Sequence, residues 1–186
     1  MQKVVSFLRG INVSGKKLIA MEDLRALYGD LGFTNVSSYI QSGNVVFETE
    51  ETDSQAIAQM ISDKITETYN FTVPVIVRTA EEIQAVIEDN PFLTEMYIEE
   101  DRLHVTFLAE APKPELAEKM HDQKFQPERF AVHHKEVYLY CPNGYGNTKL
   151  NNNFFESKLK VSATTRNWKT VHKLAEMLGV DGNSND

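Results

Sequence analysis

Two stretches of this chain open in the same way. Val4-Val5-Ser6-Phe7-Leu8 and His104-Val105-Thr106-Phe107-Leu108 are short β-rich runs that align residue for residue and share a Phe-Leu ending. After the first, Met21, Leu24, Leu27, Tyr28 and Leu31 recur at helical spacing, with Gly32 as the stop. Val36-Ser37-Ser38-Tyr39-Ile40 and Val45-Val46-Phe47-Glu48 follow, and Gln41-Ser42-Gly43-Asn44 between them suits a tight turn, which predicts a hairpin. After the second, Pro112 and Pro114 stand where a helix begins, and Leu116, Ala117 and Met120 form its apolar face. Arg129-Phe130-Ala131-Val132-His133 and Val137-Tyr138-Leu139-Tyr140 then read as another hairpin. The order β-α-β-β therefore occurs twice, the pattern of an internal duplication.

The first copy continues. A helix from Asp53-Ser54 puts Ile57, Met60, Ile61, Ile65 and Tyr69 on one face, and Pro74-Val75-Ile76-Val77-Arg78 is a fourth strand. The order β-α-β-β-α-β over residues 3 to 78 is the ferredoxin-like split βαβ arrangement, an antiparallel sheet with both helices on one face. Thr79 and Glu82 form a capping box for a connecting helix that Asn90-Pro91 ends, and Thr94 to Asp101 reads as an acidic linker or loop. Near the end, Phe154, Phe155 and Leu159 mark one short helix, capped by Asn152 or Asn153. Trp168, Val171, Leu174, Ala175 and Leu178 mark a second, with Asn167 as N-cap, Gly179 as stop and Trp168 as a core residue. The expected fold is α+β: two linked ferredoxin-like (β-α-β-β) subdomains with antiparallel sheets and C-terminal helices. The expected division is residues 1–79, a connecting helix and linker over 80–102, and a second subdomain over 103–186 whose last six residues are a frayed tail.

Composition bounds the class. Of 186 residues, 41% are hydrophobic and 25% charged, values of a globular chain. One cysteine, Cys141, excludes a disulfide framework and a multi-cysteine zinc site. The apolar run at the start is too short for a signal peptide and no stretch reaches membrane-spanning length, so a cytoplasmic protein without a membrane partner is expected. The net charge of −8 argues against coating nucleic acid by bulk charge. That total hides a segregation: residues 1–20 carry +4 and residues 144–173 carry +5, leaving −17 for the rest. The two basic segments also hold the long Gly- and Asn-rich loops RGINVSGKK and NGYGNTKLNNN.

Gly10 to Lys16 fits G-x-x-x-x-G-K, but Lys17 stands where a hydroxyl would hold magnesium, and the helix begins several residues late. A nucleotide-hydrolysing loop is therefore not expected; a lesser role survives, in which the glycines let backbone approach an anion and Arg9, Lys16 or Lys17 supplies charge. QSGN offers amides and a hydroxyl at a hairpin tip, Gly144 and Gly146 allow close backbone approach beside Lys149, and TTRNWK packs donors at a helix start where Arg166 can grip a carboxylate or phosphate. His133 and His134 are adjacent and on a strand would point to opposite faces, so no metal site is expected.

Taken together, VVSFLRGINVSGKK, YIQSGNVVFE, GNTKLNNNFFE and ATTRNWKTV resemble, over about residues 3 to 178, a bacterial family known only as domain of unknown function 1697. The resemblance implies a cytoplasmic-type protein of two linked α+β, ferredoxin-like halves and carries no reaction, cofactor or catalytic residue. The residues themselves lead to the expectation that RGINVSGKK, QSGN, NGYGNTK and TTRNWK converge on one basic cleft. Arg9, Asn12, Lys16, Gln41, Ser42, Asn44, Lys149, Arg166 and Asn167 would there bind a small anionic, phosphate-bearing or nucleotide-like ligand, or a nucleic-acid end, with no cofactor. An enzyme acting on such an anion by electrostatic positioning, and a scaffold in which the motifs serve turns and packing only, remain alternatives, and oligomeric state stays open.

Overall fold

The structure is a computed structural model that describes residues 1–180. The chain divides into two compact units, Met1–Gln84 joined by the segment from Leu174 onward, and Ala85–Lys173.

The first unit contains β1 (Gln2–Leu8), α1 (Met21–Asp30), β2 (Thr34–Tyr39), β3 (Asn44–Thr49), α2 (Ser54–Tyr69) and β4 (Val75–Thr79). Its sheet runs β2-β3-β1-β4 and every pairing is antiparallel, as the split βαβ order requires. Alternation along β1 sends Val4 and Leu8 into a core shared with Leu24 and Leu27 of α1 and Ile57, Ile61 and Ile65 of α2. Each such side chain contributes about 1.5–3 kcal/mol by leaving water. Ser6 lies between them on the same face, and the hydroxyls of Ser6 and Tyr28 share a hydrogen bond of 2.7 Å, which satisfies both buried groups. Burial holds the Tyr28 phenol well above its ordinary pKa. Asp53 caps α2 by accepting from the Gln55 amide at 2.9 Å.

The second unit repeats this plan with β5 (Leu103–Leu108), α4 (Pro114–His121), β6 (Arg129–His133), β7 (Glu136–Tyr140), α5 (Asn152–Leu159) and β8 (Ala163–Asn167). Its order, β6-β7-β5-β8, is that of the first sheet, again antiparallel. Both repeats then run from the last strand straight into a helix, α3 (Ala80–Glu88) after β4 and α6 (Trp168–Leu178) after β8. The duplication thus extends to seven elements per copy. The fourth strand of the second copy corrects the sequence reading, which placed TTRNWK at a helix start. Ala163-Thr164-Thr165-Arg166-Asn167 is polar and shows no apolar alternation; it is a strand because it pairs with β5 along its whole length.

The correspondence holds at single residues. Arg78 lies opposite Val5 in the first sheet and Arg166 opposite Val105 in the second, and both arginines are buried. The residue after each caps the following helix. Thr79 Oγ1 accepts from the Glu82 amide at 3.2 Å while Glu82 Oε1 accepts from the Thr79 amide at 3.3 Å, the capping box read from the sequence. Asn167 Oδ1 accepts from the Thr170 amide at 2.8 Å. The cap of α5 is Asn151, whose Oδ1 accepts from Phe154 at 2.9 Å; Asn152 instead accepts from the Thr165 hydroxyl at 2.7 Å, and neither it nor Asn153 is the cap. Trp168 is a core residue at 2% exposure. Within the second unit, Tyr138 of β7 donates to the Val86 carbonyl at 3.0 Å, which lays the end of α3 against the sheet face opposite Leu139. Among the described residues no helix is long and apolar enough to cross a membrane. The expected tail at 181–186 lies outside the described residues.

Candidate functional site

In the first unit, the two signature segments meet. RGINVSGKK leaves β1 and folds on itself: the Lys16 amide donates to Val13 O at 3.0 Å, and the Asn12 amide donates to Lys17 O at 3.1 Å. Ser14 and Gly15 at the tip have φ of 52° and 71°, the left-handed pair that such a tight turn needs. Asn12 is the clasp. Its Nδ2 donates to Ile19 O at 3.0 Å and to Gln41 O at 2.9 Å, and its Oδ1 accepts from the Ile19 amide at 2.9 Å. The loop and the β2–β3 turn are thereby tied together. Gly43 closes the joint. Its φ is +85°, and a Cβ there would lie 2.6 Å from Leu8 Cβ and 3.0 Å from Ile11 Cδ1.

This geometry accounts for most of the residues singled out in the first unit. Asn44 is buried and its Nδ2 donates to Tyr39 O at 3.1 Å and to Ser42 Oγ at 2.9 Å, so its side-chain amide serves the hairpin turn. Gln41 is exposed and offers its carbonyl to Asn12. The half-buried Arg9 starts the loop and donates its amide to Pro74 O at 3.0 Å. Lys16 is exposed at the tip, while Lys17 Nζ donates to Thr72 O at 2.7 Å. The amides of Asn12, Lys16 and Ile19 are spent inside the loop and α1 begins only at Met21, in keeping with the expectation that this is not a nucleotide-hydrolysing loop.

The second unit holds a cleft of about 580 Å³. One wall is residues 124–128, folded back by a hydrogen bond from the Glu128 amide to Phe125 O at 2.9 Å; the other comes from residues 143–149. Lys124 and Lys149 bring positive charge, Glu128 brings one negative charge, and Asn143, Asn147, Gln126 and Thr148 bring amides and a hydroxyl. Beside it, Cys141 is buried. Burial pushes its thiol up to about 12, with the Glu128 carboxylate adding to the rise and a hydrogen bond from the Thr148 hydroxyl opposing it. A thiol held neutral in this way is no nucleophile.

Of the nine predicted residues, Lys149 alone lines this cleft. Arg166 lies in β8 at 9% exposure, where it donates to Thr164 Oγ1 at 2.9 Å and to Thr165 O at 3.0 Å. Burial lowers it to about 10, and the nearby Tyr145 acts in the opposite sense. Asn167 is occupied as the helix cap. Sequence reasoning missed the Lys124 to Glu128 wall, since KFQPE carries no glycine pair and no charge excess to draw notice. It also separated His133 from His134. β6 ends at His133 and His134 turns at φ 53°, so the rings lie 4.4 Å apart instead of on opposite faces. Among the described residues no group of three or more His, Cys, Asp or Glu is placed to hold a metal ion.

Comparison with known proteins adds a family and a fold. A family model described as a protein of unknown function, DUF1697, matches residues 1–138. A solved structure of a conserved bacterial protein from Streptococcus pneumoniae is 22% identical and superposes with a TM-score of 0.72, covering 95% of this chain and 98% of that one. No curated protein matches the sequence.

Proposed function

The chain belongs to the DUF1697 family of proteins of unknown function, and from its own residues we propose that it binds a small phosphate- or carboxylate-bearing ligand in the cleft of the second unit. The observation that carries this reading is the cleft itself. Its volume of about 580 Å³ falls in the range of small-molecule sites, roughly 300–1,000 Å³. Lys124 and Lys149 outnumber Glu128, so an anion is the favoured guest, and the amides of Asn143, Asn147 and Gln126 with the Thr148 hydroxyl would orient it. An overall charge of −8 disfavours a long polyanion, and a compact one gains most from two local lysines. The neutral Cys141 thiol removes the one thiol nucleophile the chain carries, which favours binding over covalent chemistry.

A thermal-shift panel of inorganic phosphate, sugar phosphates, nucleoside monophosphates and small carboxylates tests the proposal. A ligand at a hundred times its Kd adds about 2.7 kcal/mol of stability. Lys124→Ala and Lys149→Ala, both at exposed positions, leave the unliganded melting point within a degree or two and each reduce the shift. A panel without any stabilising member, or a shift that persists in the double variant, overturns the reading.

A further inference from the structure

Among the described residues eight large apolar side chains are exposed, and six of them fall in two groups, one on the two clasped loops of the first unit and one in a single short stretch of the second. The first is the clasped tip of the first unit, where Val13 is 58%, Leu18 64% and Ile40 51% exposed. Asn12 gathers them: Val13 follows it in sequence, Leu18 precedes Ile19, which bonds to it twice, and Ile40 precedes Gln41, which it also holds. This tip carries Lys16 and Lys17, and residues 9–20 contain no acid. The second stretch belongs to the other unit, where Leu93 is 38%, Met96 78% and Tyr97 91% exposed. It is acidic, with Glu95, Glu99, Glu100 and Asp101.

Both stretches are held in place, and both hold a bulky residue in backbone that such residues avoid. Arg129 anchors the acidic stretch through two bonds to the Glu95 carboxylate, 2.6 and 2.7 Å, and its guanidinium lies 5.0 Å from the centre of the Phe92 ring. Just beyond that anchor Tyr97 has φ 67°, and in the tip Ile40 has φ 50°. Glycine or asparagine would adopt these angles without strain; a β-branched or aromatic residue does so at a cost to stability. That cost falls on two side chains left in solvent, where neither contributes to its own core.

We propose that the two stretches recognise each other between copies of this chain, the basic apolar tip of residues 13–18 and 40 in one copy seating on residues 93–101 of a second. Each supplies apolar side chains with charge around them, and the charges are opposite. Six side chains make a small interface, so the association is weak and concentration-dependent.

Sedimentation velocity across a wide concentration series tests it. The mass rises above the 21.2 kDa of one chain as concentration increases, and added salt moves the midpoint to higher concentration. Tyr97→Asn, which keeps the backbone angle and removes the ring, and Leu18→Ser each weaken association roughly tenfold or more. Lys16→Glu weakens self-association, and mixing it with Glu100→Lys restores a mixed complex. Melting points that do not fall, with a rise for Tyr97→Asn as backbone strain is relieved, confirm that these exposed replacements leave the fold intact. A mass that stays at that of one chain throughout overturns the proposal, and so does association unaltered in Tyr97→Asn and Leu18→Ser.

Discussion

Replacing Asn12 by alanine removes three hydrogen bonds at once, two donated from Nδ2 to Ile19 O and Gln41 O and one accepted by Oδ1 from the Ile19 amide, at 2.9 to 3.0 Å. A typical intramolecular hydrogen bond contributes about 0.5–1.5 kcal/mol net. Asn12 is half-buried and Gln41 exposed, so water takes over part of what is lost; the three together are worth about 2 kcal/mol on the lower end of that scale. Alanine must also adopt the φ of 55° found at this position, a left-handed conformation that costs about 1 kcal/mol more than for asparagine. The expected loss is about 3 kcal/mol, a large fraction of the ~5–15 kcal/mol that holds a domain folded. Equilibrium urea denaturation followed by circular dichroism measures it. In a thermal scan the same loss lowers Tm by about 6–12 °C for a chain of this size. Asn12→Gly is the control. It loses the same bonds without the steric penalty and recovers about 0.5–1 kcal/mol of the alanine loss. A loss below about 0.5 kcal/mol for Asn12→Ala, the range of an ordinary surface substitution, would refute the view that this side chain clasps the two loops. So would a glycine variant less stable than the alanine variant.

Two further outcomes follow from named contacts. Gly43→Ala brings a Cβ to 2.6 Å from Leu8 Cβ at a φ of +85°; strain and overpacking together cost about 2–4 kcal/mol, and a urea midpoint within error of the parent would show that the turn relaxes freely. His104 stacks on Tyr145 with ring centroids 4.9 Å apart, and burial lowers its pKa from the ordinary 6.5, with a backbone hydrogen bond at Arg102 opposing. The unfolded chain therefore takes up the proton first as pH falls, so the stability present above about pH 6.5 is lost on descending from there through the lower folded value. His104→Phe removes that slope, and parallel Tm-against-pH curves for parent and variant between about pH 7 and pH 5 would refute the assignment.

Several features of the fold were legible because they depend on neighbours in sequence. The capping box at Thr79 and Glu82, the hairpin turn at Gln41 to Asn44, the end of α1 before Gly32 and the buried Trp168 all follow from local spacing and from backbone angles that only certain residues tolerate. The site was less legible. Lys149 was found because the glycines around it are conspicuous, whereas Lys124 and Glu128 sit in a stretch without such a marker and face Lys149 only across the folded cleft. Arg166 drew notice as an anion-gripping residue at a helix start; it is instead a buried strand residue whose guanidinium answers to Thr164 and Thr165. Asn12 was chosen as a ligand donor, and its amide is spent on Ile19 and Gln41.

By itself the amino-acid order determined the succession of strands and helices as far as α5 and the fact of duplication, because periods of two and 3.6 residues and the preferences of glycine, proline and asparagine act over a few residues. Only the tertiary structure decided that ATTRN is a strand, which polar groups consume one another, and which lysines share a cleft. Those outcomes depend on what backbone comes alongside: β5 makes β8 a strand, Gln41 makes Asn12 a clasp, and the 124–128 wall makes Lys149 part of a pocket.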